Sequence, residues 1–226
     1  MNCKILSLNV GQPEEMVWED KRIVSSMRKS PIAGPLIVGM TSVEGDGFSN
    51  ARLHGTPDSV LYAYGMSSVL HFLQKIGRSS YEPGALGENL TVDELNEDEV
   101  SVGDEFQIGE VLAQATFPRI PCGKVNIRIK HPDARETMAN NHRTGVYFRI
   151  LRPGRIERGS SFERTKLAQV RFSILEACRL EISRALPSAD QLERIRLNGA
   201  FPKLFLEKLP ALREGRNGDS LAQPSP

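Results

Sequence analysis

Cys122 lies in the run Phe117-Pro118-Arg119-Ile120-Pro121-Cys122-Gly123-Lys124 and has the most chemistry to offer of any residue in the chain. A proline before it and a glycine after it exclude the interior of a regular helix or central strand, so the thiol is expected on a turn. Arg119 and Lys124 stand close by in sequence, and positive charge favours thiolate over thiol. A thiolate is both a nucleophile and a soft metal ligand. The competing reading is a small buried hydrophobe, which describes most free cysteines.

Three further segments place polar residues among turn formers. Gly45-Asp46-Gly47-Phe48 continues through Asn50 to Arg52-Leu53-His54-Gly55. Pro83-Gly84-Ala85-Leu86-Gly87-Glu88-Asn89-Leu90-Thr91 is the second, and Lys29-Ser30-Pro31 the third. Taken singly, their glycines and prolines shape turns and their polar residues cap them. Of the remaining histidines, His71 falls within a helical pattern and His131 precedes a proline, which favours structural roles. His142, beside Arg143 in a polar stretch, has a place near a pocket mouth as its functional alternative.

Composition excludes several classes of function. The 226 residues suffice for one large domain, or one domain with a small appendage. A formal net charge of +1, without an aromatic-interleaved basic stripe, argues against nucleic acid as a partner. No segment approaches the roughly 20 apolar residues of a membrane span. The first ten residues read as a strand rather than a signal peptide. Cys3, Cys122 and Cys178 are odd in number, far apart and without metal-finger spacing, so a cytoplasmic protein with free thiols is expected.

The elements that must position these residues are mainly β up to about residue 160. Residues 4–10 and 36–43 read as strands, and 104–108 with 111–117 as a hairpin turning at Gly109-Glu110. Residues 145–151 and 155–160, joined through Arg152-Pro153-Gly154, read as another hairpin. Short strands without βαβ alternation favour a barrel or sandwich. One helix is predicted from Pro57 to Gly77 on the spacing of Val60, Leu61, Tyr64, Leu70, Leu73 and Ile76, and a second from His131-Pro132 through Met138.

From about residue 165 the period becomes helical. Leu167, Val170, Ile174, Cys178 and Ile182 form a stripe ended by Pro187. Ser188-Ala189-Asp190-Gln191 opens a capping-box helix stopped at Asn198-Gly199, and residues 202–209 give a third, short helix. This divides the chain into a β domain (1–162), a three-helix unit (163–213) and a disordered tail (214–226). The helical unit is expected to dock on the β domain or on a second subunit, the latter giving a homodimer.

The order Lys29, Gly45-Asp46, His54-Gly55, Pro83-Gly84-x-x-Gly87-Glu88-Asn89-Leu90, Val102-Gly103-Asp104 and Pro118-Arg119-x-Pro121-Cys122 resembles the MOSC domain. That family is named for the C-terminal domain of molybdenum cofactor sulfurase. The resemblance covers about residues 1–160, and the helical tail is similar to the small domain that follows in the YiiM-like bacterial branch. It implies a mainly β fold with added helices, a twisted barrel holding a molybdenum–pterin cofactor with Cys122 as metal ligand. Pyridoxal phosphate binding is also associated with the family. Proteins similar to this branch reduce N-hydroxylated bases such as 6-hydroxylaminopurine to amines, a detoxification, with electrons from a separate reductase.

The residues suit those roles. Soft sulfur holds molybdenum in such a cofactor, so a Cys122 thiolate is apt. Lys29, Arg119 and Lys124 could neutralise the cofactor's phosphate. Main-chain N–H groups around residues 45–47 and 84–87, Gly87 among them, could cradle anionic oxygens, with Gly55 in the matching glycine turn. His54 is the candidate proton donor. Glu88 or Asp46 would relay protons or orient His54, and Asn89 would hydrogen-bond the pterin or the substrate. The competing reading of Asp46 and Asn89 is loop capping.

The chain departs from the pattern in two places. The family commonly continues from His-Gly into a second glycine and, three positions on, a basic residue, where Thr56 and Ser59 stand here. Phe48 and Asn50 replace the usual Gln and Asp of the acidic turn, and Lys29 and Arg52 are the candidates to supply the missing cation. Two other classes of function compete with the reductase. One is a carrier, in which Cys122 holds sulfur as a persulfide or holds cofactor for delivery. The other is a degenerate member whose Cys122 is an inert turn residue.

Overall fold

The computed structural model describes residues 1–48 and 56–209. His54, Gly55, Asn50, Arg52 and the tail from 214 lie outside the described residues.

Twelve strands are present among the described residues: β1 (Asn2–Val10), β2 (Glu14–Trp18), β3 (Lys21–Ser25), β4 (Ser30–Pro31), β5 (Leu36–Val38), β6 (Leu61–Gly65), β7 (Leu90–Val92), β8 (Glu105–Ile108), β9 (Val111–Pro118), β10 (Val146–Arg152), β11 (Gly154–Ile156) and β12 (Ser161–Lys166). The order β12-β8-β9-β10-β6-β7-β1 closes on itself through a β1–β12 pairing, giving a seven-stranded barrel with β4 appended to β1. Among the described residues only β6 and β7 run parallel, and their crossover carries α1 (Met66–Lys75) and the Pro83–Asn89 segment. Phe106, Phe148 and Phe162 fill the interior edge-to-face, with ring centroids 5.4–5.9 Å apart.

Four elements differ from the sequence reading. The strand at Leu36 stops at Val38, because the Gly39 N–H closes a turn on the Ser42 carbonyl at 2.8 Å and Val43 returns to bridge Val38. β10 and β11 are not a hairpin; β11 pairs with β5, and β10 pairs with β9 and β6. The helix from Pro57 is a short 3-10 turn (Pro57–Ser59), then strand β6, then α1. β6 is buried on both faces: Leu61 and Ala63 enter the barrel core, while Tyr62 and Tyr64 face a second core under the helices. Its apolar run therefore carries no alternation for a periodicity rule to detect. The stripe from Leu167 is helical only in α4 (Ile174–Ser183), because the Ser173 side chain caps it by accepting from the Glu176 N–H.

The second core packs Tyr62, Tyr64, Val69, Phe72, Leu86, Val125 and Met138 between the barrel, α1, α2 (Lys124–Ile129) and α3 (Ala134–Asn141). The hairpin β2–β3 covers it with Met16 and Trp18. α5 (Ala189–Asn198) shows the expected Ser188–Gln191 capping box and ends at Gly199 with φ 69°. α6 (Lys203–Lys208) follows, and α4–α6 share one apolar cluster with the barrel through Ile174, Ala177, Ile195 and Phe205. Among the described residues no helix is long and apolar enough to cross a membrane.

Candidate active site

β9 ends at Pro118, and Arg119-Ile120-Pro121 carries the chain to Cys122 just before α2, whose Val125 N–H donates to the Cys122 carbonyl at 3.0 Å. Of the three cysteines, Cys122 alone is exposed. Cys3 and Cys178 are buried, and burial pushes both thiols up to about 12. The thiol singled out on a turn is thus the one that solvent and ligands can reach.

Arg119, three residues earlier, is buried and within electrostatic reach of Cys122. Its Nη1 donates to the Leu86 carbonyl, and its guanidinium lies 5.4 Å from the Tyr62 ring centroid. Burial works against its charge, but Tyr62, Tyr147 and the Cys122 thiol more than offset that, so its pKa stands above the ordinary arginine value. Tyr147 stacks at a tilt on Tyr62 with centroids 5.0 Å apart. It is half-buried, and burial raises its hydroxyl pKa; Arg119, Cys122 and Asp46 all lie within its electrostatic reach. Tyr62 and Tyr147 were not among the residues expected at the site. No local signal marks them, because β6 is buried on both faces and Tyr147 meets Tyr62 only through strand pairing.

The Gly84–Asn89 loop reaches Arg119 through Leu86 and is held from within by Glu88. The carboxylate accepts from the Gly84 N–H (2.6 Å), the Tyr81 hydroxyl (2.5 Å), the Thr91 hydroxyl (2.8 Å) and the Leu86 N–H (3.3 Å). With four donors and no exposure, Glu88 is a clamp on the loop rather than a group open to substrate. The expected anion cradle also needs correction. The N–H groups of Asp46, Gly47, Gly84, Ala85, Leu86 and Gly87 all donate to acceptors within the chain, so those amides turn inward. Gly84 has φ 86°, and a Cβ there would stand 2.6 Å from the Lys29 carbonyl oxygen, so the loop needs glycine for conformation and closeness alike.

Asn89 connects this loop to the acidic turn. Its Nδ2 donates to Asp46 Oδ2 at 2.9 Å and its Oδ1 accepts from the Tyr62 N–H at 3.2 Å. Asp46 also accepts from the Gly11 N–H at 2.9 Å and pairs with Lys29, both side chains being nearly sealed from solvent. Burial lowers the Lys29 pKa, and Asp46 opposes that fall. Hydrogen bonds and an ion pair thus link the loops of Lys29, Asp46, Glu88, Asn89 and Arg119, and Cys122 lies within electrostatic reach of Arg119. Lys124 opens α2 two residues after Cys122 and is half-buried. Where the family has glycine and a basic residue, Thr56 and Ser59 hydrogen-bond each other at 3.0 Å and close the 3-10 turn.

Among the described residues no group of three or more His, Cys, Asp or Glu could hold a metal ion. A metal at Cys122 would take one thiolate from the chain and its other ligands from a cofactor. That donor set fits a molybdenum–pterin group, which brings its own sulfur. His142 does line a pocket, a 570 Å³ groove with Asp98, Glu176, Arg179 and Leu186, built by the end of α3, by α4 and by α5 rather than by the Cys122 loop. Burial and Arg179 lower the His142 pKa.

The family model of the MOSC domain matches residues 50–163. The chain is 30% identical over 176 residues to the uncharacterized protein YflK of Bacillus subtilis, covering 78% of this chain and 79% of that one. A protein named Reductase from Gibberella moniliformis is 29% identical over 164 residues, which span 70% of this chain but only 28% of that protein. The structure of YiiM from Geobacillus stearothermophilus superposes with a TM-score of 0.74 at 26% identity, covering 94% of this chain and 98% of that one. With the barrel, the Gly-Glu-Asn loop and the Pro-Arg-x-Pro-Cys loop in place, these likenesses agree: the chain belongs to the MOSC domain family.

Proposed function

We propose that the chain is a molybdenum-cofactor-dependent oxidoreductase that reduces N-hydroxylated compounds, of the 6-hydroxylaminopurine kind, to amines. The observation that carries this reading is the exposed Cys122 thiol, presented beside the buried Arg119 cation and tied through it to the Gly-Glu-Asn loop. Cys122 would hold the metal, and Arg119 and Lys124 would place positive charge beside the anionic cofactor. The cofactor, when bound, would supply two-electron redox chemistry.

The net change is R–NHOH + 2e⁻ + 2H⁺ → R–NH₂ + H₂O: the N–O bond breaks, nitrogen is reduced, one proton goes to the leaving hydroxyl to make water and the other to the amine nitrogen. His54 is the proposed proton donor. Burial keeps the Tyr147 hydroxyl protonated, which suits a wall of the site that hydrogen-bonds or stacks on a planar base. Electrons come from a separate reductase; in the fungal relative named Reductase, most of the length lies outside the part this chain matches.

The test is expression in a host that makes molybdenum cofactor, metal analysis, and reduction of 6-hydroxylaminopurine with an artificial electron donor. Bound molybdenum and turnover, both lost in Cys122→Ser, are expected. Full metal occupancy in Cys122→Ser would sink the ligand assignment. Metal-free protein with sulfane sulfur on Cys122 would establish the carrier reading instead.

A further inference from the structure

The reductase reading leaves α4–α6 without a task, yet two contacts join them to the elements flanking the site. On β10, Arg149 Nη2 donates to the Ala200 carbonyl at 2.8 Å and stands 2.7 Å from Asp58 Oδ1. Ala200 lies in the α5–α6 connection, and Asp58 in the turn that the chain enters just after His54 and Gly55. The Asp58 carbonyl accepts from the Thr116 hydroxyl at 2.6 Å, and that hydroxyl also reaches the Tyr147 carbonyl at 3.0 Å. The second contact is Phe205 of α6 against Phe117 of β9, centroids 4.8 Å apart, one residue before Pro118-Arg119. Phe205 is backed in turn by Phe201 and Phe172.

Arg149 and Asp58 are only 25% and 27% exposed, and the Arg149 Nε is buried without a hydrogen bond among the described residues. A guanidinium held at two points and shielded along its length is unlike a solvated surface pair. We propose that Arg149 is a positioning residue: with the α5–α6 connection as its fixed end, it holds Asp58 and thereby sets the turn that follows the His54–Gly55 segment. Phe205 steadies the strand leading to Cys122 in the same way, so the helical unit braces both the Pro57–Ser59 turn and that strand. The consequence for turnover rests on the reductase reading; the coupling between Arg149 and the turn does not.

The test uses the full chain with Arg149→Gln, Asp58→Asn, the double variant and Arg149→Lys. Hydrogen exchange at the Ser59 and Val60 amides, which donate to the Thr56 and Phe148 carbonyls, should rise roughly fivefold in either single variant, rise no further in the double, and leave β8 and β9 unchanged. In molybdenum-loaded protein the KM for the hydroxylamine should rise severalfold at unchanged metal content, with partial recovery in Arg149→Lys. Unchanged exchange in both single variants, or fully additive effects in the double, would overturn the proposal. If the parent protein binds no molybdenum and shows no turnover, the reductase reading fails, and the exchange data still decide the role of Arg149.

Discussion

Arg119 joins the cysteine loop to the Gly-Glu-Asn loop by donating from Nη1 to the Leu86 carbonyl, across 33 residues of sequence. One buried guanidinium therefore fixes the relative placement of both loops. Arg119→Met should leave the Leu86 carbonyl unpaired and cost about 1–3 kcal/mol, measured by urea denaturation. Arg119→Lys restores the charge without the planar fork that lies over Tyr62, and should recover only part of that loss.

Glu88→Gln probes the clamp. The amide presents an NH₂ group toward donors that now share a carboxylate, so at least one of the Gly84, Tyr81, Thr91 and Leu86 contacts must break. A loss of about 1–3 kcal/mol is expected, corresponding to roughly 2–12 °C in Tm for a chain of this size. A group serving only as a proton relay would leave the melting temperature unchanged.

Lys29 and Asp46 form an ion pair sealed from solvent. Asp46→Asn strands the Lys29 charge and should cost about 3–5 kcal/mol, because a buried cation without its partner keeps its full desolvation penalty. Lys29→Met combined with Asp46→Asn should recover much of that loss, since removing both charges removes the penalty. A double-mutant cycle in urea reads the coupling; additive single effects would show that the pair is not a unit.

The sequence was most legible where local chemistry decides the structure. The Gly109-Glu110 hairpin turn, the Ser188 capping box and the exposed turn at Cys122 each depend on a few adjacent residues, and each is present. Tertiary burial overrode periodicity at β6, where Leu61–Gly65 is apolar on both faces and sits at helical spacing from α1. The same holds for β11, whose partner β5 lies over a hundred residues away and cannot be read from a local turn. At the site, residue identities were legible but their directions were not. The loop amides and the Glu88 carboxylate point inward, and only the assembled hydrogen bonds show it.

The three thiols make the accessibility of Cys122 measurable. Native protein at neutral pH should take up one equivalent of an alkylating reagent, at Cys122, and three after unfolding, counted by mass spectrometry. The same burial predicts a pH dependence. Cys3 and Cys178 hold their protons up to about 12 in the folded chain, against 9.0 for an unburied thiol. Below pH 9 both states are protonated and these groups leave stability unchanged. Between pH 9 and 12 the unfolded chain loses protons that the folded chain keeps, so stability falls as pH rises, by up to about 1.4 kcal/mol per pH unit for each thiol. Urea midpoints measured from pH 8 to 11 should show that decline, and Cys178→Ala should make it shallower. An identical slope in the Cys178→Ala variant would show that its thiol does not contribute.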